Sequence, residues 1–351
     1  MELNLPFPRR ISEHRSRAEA HNLDWLQTHG MLTGREAIKL YSRWDIPDLA
    51  ARTFPDLGAD ELCLATDLFS FYFLFDDQFD SDLGLRPAQV SLACDPLIRI
   101  AHGEPKEVPE SPITSSFADL WRRSSEGMSA RWRARAASNW EWYFSAHPSE
   151  ALGRTLAAEA LRGGTLPAVP DRAAYLMLRR GADGTETVLD MIERFGAEVP
   201  PAAFHSPQLR LMRQLAADAP AFSNDVHSYD KEAPRGDVYN LVVILQHQRQ
   251  CPREEASAAV IAETQWMIDQ YLQLEVEIPE LCDRLGLRGD ERLAVERYAD
   301  GLAAWMGGYF DWESHTDRYR PQGSLPVDRP GHLEPLLRPT ARPTRAPGLH
   351  R

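Results

Sequence analysis

Residues 62–80 read LCLATDLFSFYFLFDDQFD, a run of large apolar and aromatic side chains that closes in Asp76, Asp77 and Asp80. A stretch this long without Gly or Pro reads as a helix. Asp76 and Asp80 stand i, i+4, so on one helical face their carboxylates lie ~6 Å apart along the axis, close enough to share divalent cations. Mg²⁺ suits such a pair, because it takes carboxylate oxygen at one or two positions and keeps the others for water or substrate phosphate. Carboxylates at a helix C-terminus are opposed by the macrodipole, and Phe73, Phe75 and Phe79 around them raise the cost of desolvation. Bound metal relieves both. The competing reading is an ordinary solvated acidic helix end, since short acidic motifs also arise by chance. A calcium loop is excluded, because counting from Asp76 or Asp80 puts no Gly at loop position six and no Glu at position twelve.

A second polar stripe lies in residues 218–232, DAPAFSNDVHSYDKE. Asn224, Ser228 and Glu232 are spaced by four and four, and steps of four rotate only ~40° on an α-helix. An amide oxygen, a hydroxyl and a carboxylate therefore face one way, and three hard oxygen donors can ligate one Mg²⁺. Lys231 adds a cation suited to phosphate rather than metal. A merely solvated polar face is the alternative. His227 lies off the stripe and is not assigned.

Outward from these two segments the chain reads as all-α. Stretches 113–146, 207–232, 237–250, 254–285 and 288–315 carry apolar residues three and four apart, and breaks fall at Pro/Gly clusters such as 102–112, Gly163-Gly164 and Pro200-Pro201. Periodicity resumes soon after each break, so residues 1–320 are expected to form one helical domain. Residues 321–351 hold seven prolines and five arginines and are expected to be a disordered tail. The 351 residues are 43% hydrophobic and 26% charged, with no apolar run near the ~20 residues a membrane helix needs. The N-terminal stretch has no signal-peptide pattern, so a cytoplasmic, non-membrane protein is expected. Four scattered cysteines, Cys63, Cys94, Cys251 and Cys282, suit core thiols rather than a zinc site or disulfide scaffold. A net charge of −13 argues against affinity for nucleic-acid phosphates.

The sequence resembles the class I terpene synthases, within them the single-domain bacterial sesquiterpene cyclases. FYFLFDDQFD, YLMLRRGADG, NDVHSYDKE and DWESHTDRY carry the likeness, in that order along the chain. The resemblance implies an α-helical bundle around a central cavity, with the aspartate-rich helix and the Asn/Ser/Glu helix facing each other and holding three Mg²⁺ ions. It makes Asp76 the main carboxylate ligand and Asp80 a ligand or outer acid, with Asn224, Ser228 and Glu232 caging another ion and Asp77 paired with arginine. In YLMLRRGADG it makes Arg180 the diphosphate sensor, Asp183 the linker and Gly184 the residue whose carbonyl helps trigger ionisation. Glycines 181 and 184 weaken the helix there and can free a carbonyl, although a tolerated kink is the plainer account. Arg318 and Tyr319 match the terminal Arg-Tyr pair that donates to diphosphate, and Trp312 sits where the family places an aromatic. A homodimer is common among similar proteins.

These parts describe one chemistry. A diphosphate leaves only when its charge is neutralised, a task for metal together with Arg180, Lys231 and Arg318. The allylic carbocation then needs a dry cavity lined by aromatic faces, for which helical direction nominates Tyr72 and Phe73. The expected reaction is Mg²⁺-dependent cyclisation of a linear isoprenoid diphosphate, most readily farnesyl diphosphate, to a sesquiterpene hydrocarbon or alcohol. Geranyl and geranylgeranyl diphosphates remain alternative substrates, and a non-catalytic helical isoprenoid-binding protein is the rival from another class. A chain-elongating synthase would need a second aspartate-rich motif in place of Asn/Ser/Glu. A proton-initiated cyclase would need a D-x-D-D motif, which the sequence lacks.

Overall fold

The computed structural model describes residues 3–104, 108–233, 237–320 and 336–337. They form a bundle of α-helices with short 3₁₀ turns, and no strand occurs among the described residues. The expected tail 321–351 lies outside the described residues except for Leu336 and Leu337. Leu336 is buried, its N–H donates to Gln78 Oε1 (3.3 Å) and its carbonyl accepts from the Ile113 N–H (3.4 Å). No helix among the described residues is long and apolar enough to cross a membrane.

The aspartate-rich helix spans Ala59–Asp76 and is buried almost all round, as its unbroken apolar composition requires. It packs against the helices Arg15–Thr28, Ile46–Thr53 and Pro112–Ser125. Asp67, at its centre, is fully buried; it accepts from Asn22 Nδ2 (2.9 Å) and Arg123 Nη2 (2.9 Å) and pairs with His21 Nε2 (2.9 Å). That network fixes the depth of the helix, since a buried carboxylate without partners is prohibitively costly. The helix ends at Asp76, and Asp77–Asp80 continue as a 3₁₀ turn. Asp76 and Asp80 are therefore brought together by a tightened turn rather than by one continuous α-helical face.

The second motif lies at the C-terminal end of the helix Pro207–Glu232. Ser206 starts it by accepting from the Leu209 N–H, with Pro207 in the first turn. It packs against the long helices Arg253–Arg284 and Gly289–His315. Pro220 interrupts its interior. A proline there has no N–H for the carbonyl four residues back, and that carbonyl, on Ala216, accepts instead from Trp305 Nε1 (2.9 Å).

The stretch 113–146 is two helices, Pro112–Ser125 and Ala130–Arg162. They part around Gly127, whose φ of 77° is left-handed. Ser111 and Ser129 cap the two N-termini. The expected 237–250 helix forms over Leu241–Arg249, and the helices near 254–285 and 288–315 form as Arg253–Arg284 and Gly289–His315.

Candidate active site

One cavity opens between the aspartate-rich helix and the Asn/Ser/Glu helix, and it has two chemically distinct ends. Asp76, Asp80, Glu150, Arg154, Arg179, Asp183, Asn224, Ser228, Lys231, Glu232, Arg318 and Tyr319 line its polar end. Leu49, Phe69, Tyr72, Phe73, Val188, Trp305 and Tyr309 line the apolar end. The two motifs, about 150 positions apart in sequence, meet here through charge. Lys231 Nζ lies 2.8 Å from Asp80 Oδ2 and 3.3 Å from Asp77 Oδ1. Arg318 donates both ends of its guanidinium to Asp77, at 2.7 and 3.0 Å, in the fork geometry that makes such pairs strong. The expected Asp77–arginine pairing is present, and burial of Asp77 is outweighed by Arg318 and Lys231, which hold its carboxyl below the ordinary range.

Donors in both motifs fit a divalent cation. Among the described residues the Asp76 carboxylate makes no hydrogen bond or ion pair, and burial pushes it above the ordinary range. Ser228 Oγ is buried and has no hydrogen-bond partner, a cost of ~1–3 kcal/mol that a fold does not sustain without reason. Glu232 is pushed up to about 7 by burial and by Asp237 and Asp225, and it accepts from Asn240 Nδ2 (3.0 Å). A raised Asp76 carboxyl, a Glu232 carboxyl held near neutral and an unpartnered hydroxyl facing one cavity are what bound metal would correct. Asp80 differs from Asp76, because its carboxylate is already engaged by Lys231.

Three expected roles need correction. Arg180 does not line the cavity. It leaves the helix Arg172–Ala182 outside the cavity, where Nε and Nη2 donate to the Asp218 carboxylate (2.8 and 2.7 Å). Arg179 is the arginine in the cavity: Nη2 donates to Asn224 Oδ1 (2.8 Å) and the guanidinium pairs with Asp225 (3.1 Å). Gly184 has the left-handed φ of 68° that its glycine permits, and a Cβ there would press on Tyr72 and Tyr143. Its carbonyl is not free, however. It accepts from Thr187 Oγ1 (2.7 Å) and the Thr187 N–H (3.1 Å) as the first acceptor of the helix Thr185–Phe195.

Trp312 is fully buried behind the cavity wall, where its Nε1 donates to the Trp44 carbonyl (2.8 Å). It packs at a tilt against Phe73 and edge-on against Tyr319 instead of lining the cavity. One and two turns earlier on the same helix, Tyr309 and Trp305 provide the lining, and Trp305 stacks on Phe69 with ring centroids 6.0 Å apart.

Tyr72, Phe73, Asp183, Lys231, Arg318 and Tyr319 all line the cavity. Tyr72 stacks on Trp140 and its hydroxyl is hydrogen-bonded to Thr187. Phe73 lies under the Arg318 guanidinium, 4.5 Å from the ring centroid. Burial pushes Asp183 up to about 7, against the pull of Arg179. Tyr319 accepts from Asn224 Nδ2 (2.8 Å) and is pushed up to about 12, chiefly by burial. Residues that sequence reasoning missed come mainly from the helix Ala130–Arg162 and the loop after the Asn/Ser/Glu helix. Arg154 ties these together, donating from Nε to Asp237 (2.9 Å) and reaching the Phe79 carbonyl (3.5 Å). Tyr239 packs directly on Gly153, where no side chain would fit. The one available signal was the proline within the second motif, which leaves a carbonyl in need of a donor.

Similarity to known proteins agrees with this geometry. A profile described as terpene synthase family 2, C-terminal metal binding, matches residues 67–270. The chain is 34% identical over 323 residues to 7-epi-alpha-eudesmol synthase ((2E,6E)-farnesyl diphosphate cyclizing) of Streptomyces viridochromogenes, covering 91% of this chain and 92% of that one. It is 34% identical over 338 residues to pentalenene synthase of Streptomyces avermitilis, covering 96% and 98%. Among solved structures, germacradien-4-ol synthase from Streptomyces citricolor superposes with a TM-score of 0.80 at 47% identity, over 90% of this chain and 99% of that one. Two oxygen-donor motifs meeting over an aromatic-walled cavity, together with a matching profile across most of both motifs' span, leave one conclusion: the chain belongs to the terpene synthase family.

Proposed function

We propose that the protein ionises farnesyl diphosphate and cyclises the resulting cation to a sesquiterpene hydrocarbon or alcohol, releasing diphosphate, with three Mg²⁺ ions as cofactor. The observation that carries this reading is the convergence of Asp76 from one motif and the unpartnered Ser228 hydroxyl from the other at the polar end of a cavity whose far end is aromatic. The substrate class follows the relatives, among them one whose name specifies (2E,6E)-farnesyl diphosphate cyclization.

Asp76, Asn224, Ser228 and Glu232, with Asp80 beside them, are the residues that would hold the metal. Bound there, the metal would neutralise diphosphate charge and polarise the bond to the leaving oxygen. Arg179, Lys231, Arg318 and Tyr319 present N–H and O–H donors from two helices and the segment after the last one, so the diphosphate is gripped from several sides. Because Arg179 rests on Asn224 and Asp225, it is oriented before substrate arrives. Asp183, at the junction of the two helices, accepts from the Thr185 N–H (3.0 Å), which fixes the elbow between Arg179 and the cavity wall.

In the apolar end Phe69, Tyr72, Phe73, Trp305 and Tyr309 offer ring faces to the cation, each worth ~2 kcal/mol when desolvated. Trp312 and Trp44 seal the wall behind Phe73 against water. The test is incubation of purified protein with geranyl, farnesyl and geranylgeranyl diphosphates and Mg²⁺, with volatile products read by mass spectrometry. Cyclic C15 products and stoichiometric diphosphate release are expected from farnesyl diphosphate. Turnover of only another chain length, or none, would overturn the substrate assignment.

A further inference from the structure

Beneath Asp76 lies a group that neither motif contains. His147, on the helix Ala130–Arg162, is 1% exposed and boxed by the rings of Phe75, Phe79 and Tyr143, with centroids 5.2, 4.8 and 4.8 Å away. These rings offer its nitrogens no acceptor, and neither Nδ1 nor Nε2 has a hydrogen-bond partner. Its polar neighbours are two carboxylates. Nδ1 is 3.4 Å from Glu150 Oε2, one turn along the same helix and without hydrogen-bond alignment, and one donor atom each from Asp76, His147 and Glu150 all lie within 4.8 Å of one another. Two converging carboxylates and an imidazole without a hydrogen-bond partner form a ligand set of two hard oxygens and one nitrogen.

We propose that His147 and Glu150 complete the coordination of the ion held by Asp76, so that this position takes a nitrogen-accepting first-row cation such as Mn²⁺ in preference to Mg²⁺. The inference rests on the metal-dependent reading of the cavity and refines it: Mg²⁺ favours an all-oxygen shell, whereas imidazole suits the transition ions. It also gives the buried imidazole the partner it lacks. Helical spacing supports this, because His147 and Glu150 are i, i+3 and present their side chains to the same side. Among the described residues, none that lines the cavity is a histidine or cysteine, so loss of a directly bound nitrogen on replacing His147 would assign it.

The experiment is pulsed electron paramagnetic resonance of the full-length protein loaded with Mn²⁺ and inorganic diphosphate. A directly coupled ¹⁴N is expected, replaced by ¹⁵N coupling when histidine is isotopically labelled and lost in His147→Gln. The Mn²⁺ over Mg²⁺ binding preference should fall about tenfold in that variant. Bound Mn²⁺ without nitrogen coupling would overturn the proposal while leaving the metal-dependent reading intact. No Mn²⁺ binding at all, even with diphosphate, would overturn both. Should His147→Gln fail to fold, the ¹⁴N-to-¹⁵N exchange in the unmutated protein decides the matter alone.

Discussion

Pro220 and Trp305 should be energetically coupled, and the coupling can be measured. Pro220 deprives the Ala216 carbonyl of its helical donor, and Trp305 Nε1 supplies the missing hydrogen bond at 2.9 Å. Ala216 is fully buried and Trp305 is 3% exposed, so no solvent replaces that donor. Trp305→Phe keeps an aromatic ring but strands the carbonyl, a penalty of ~1–3 kcal/mol in addition to the lost ring volume. In a Pro220→Ala background the restored N–H of residue 220 can reach back to Ala216, and the stranding penalty disappears. The double-mutant cycle, read from urea midpoints with unchanged slopes, should therefore show ~1–2 kcal/mol of coupling. Additivity to within ~0.5 kcal/mol would show that the indole hydrogen bond is not compensating for the proline. The same variants report on function: Trp305→Phe should redistribute products, because Trp305 and Phe69 form the stacked wall of the cavity.

Three further outcomes are expected. Ser228→Ala should stabilise the metal-free protein by ~1 kcal/mol in urea unfolding with EDTA, by removing an unpartnered buried hydroxyl, while lowering Mg²⁺ affinity and turnover; a loss of metal-free stability would contradict the assignment. Arg179→Lys should lower kcat/KM by ~10²-fold, as removal of a transition-state donor does, while Arg180→Lys should leave steady-state rates nearly unchanged; the reverse ranking would restore Arg180 to the site. His21, whose hydrogen bond to Asp67 raises its pKa against the opposing effect of burial, stabilises the fold fully below its unfolded value of about 6.5, and that contribution is lost as pH rises through the higher folded value. The difference in urea midpoint between the native protein and His21→Gln should accordingly shrink from pH 6 upward, and a gap that widened with pH would refute the linkage.

What the sequence made legible depended on spacing along one helix. Asn224, Ser228 and Glu232 share a face because a step of four residues nearly closes the α-helical turn, and Tyr72 and Phe73 follow from the same geometry. The Arg179–Arg180 choice did not follow, because adjacent helical residues point ~100° apart and only the packing of that helix says which one meets the cavity. Trp312 and Trp305 illustrate the same limit: they sit two turns apart on one stripe, and which is sealed depends on the Trp44 backbone lying across the upper one. The Gly184 carbonyl was misjudged for a different reason. Glycine permits a left-handed φ, but the helix beginning at Thr185 claims the oxygen as its first acceptor. Glu150, Arg154 and His147 were not singled out, because their i, i+3 and i, i+4 spacing is commonplace on a helix, while Asp76 and Asp237, which they meet, lie on other segments.

The clasp of Arg318 on Asp77 joins residues 241 positions apart, and this imposes an order on biosynthesis. On a ribosome adding ~5–20 residues per second, Asp77 emerges roughly 12–48 s before its guanidinium partner exists. Lys231 arrives part-way through that interval, but the forked guanidinium that completes the counter-charge on Asp77 does not, so the reaction chamber stays incomplete until translation is nearly finished. A half-made enzyme therefore has no means of ionising its substrate, and no reactive cation is generated in a vessel still open to water.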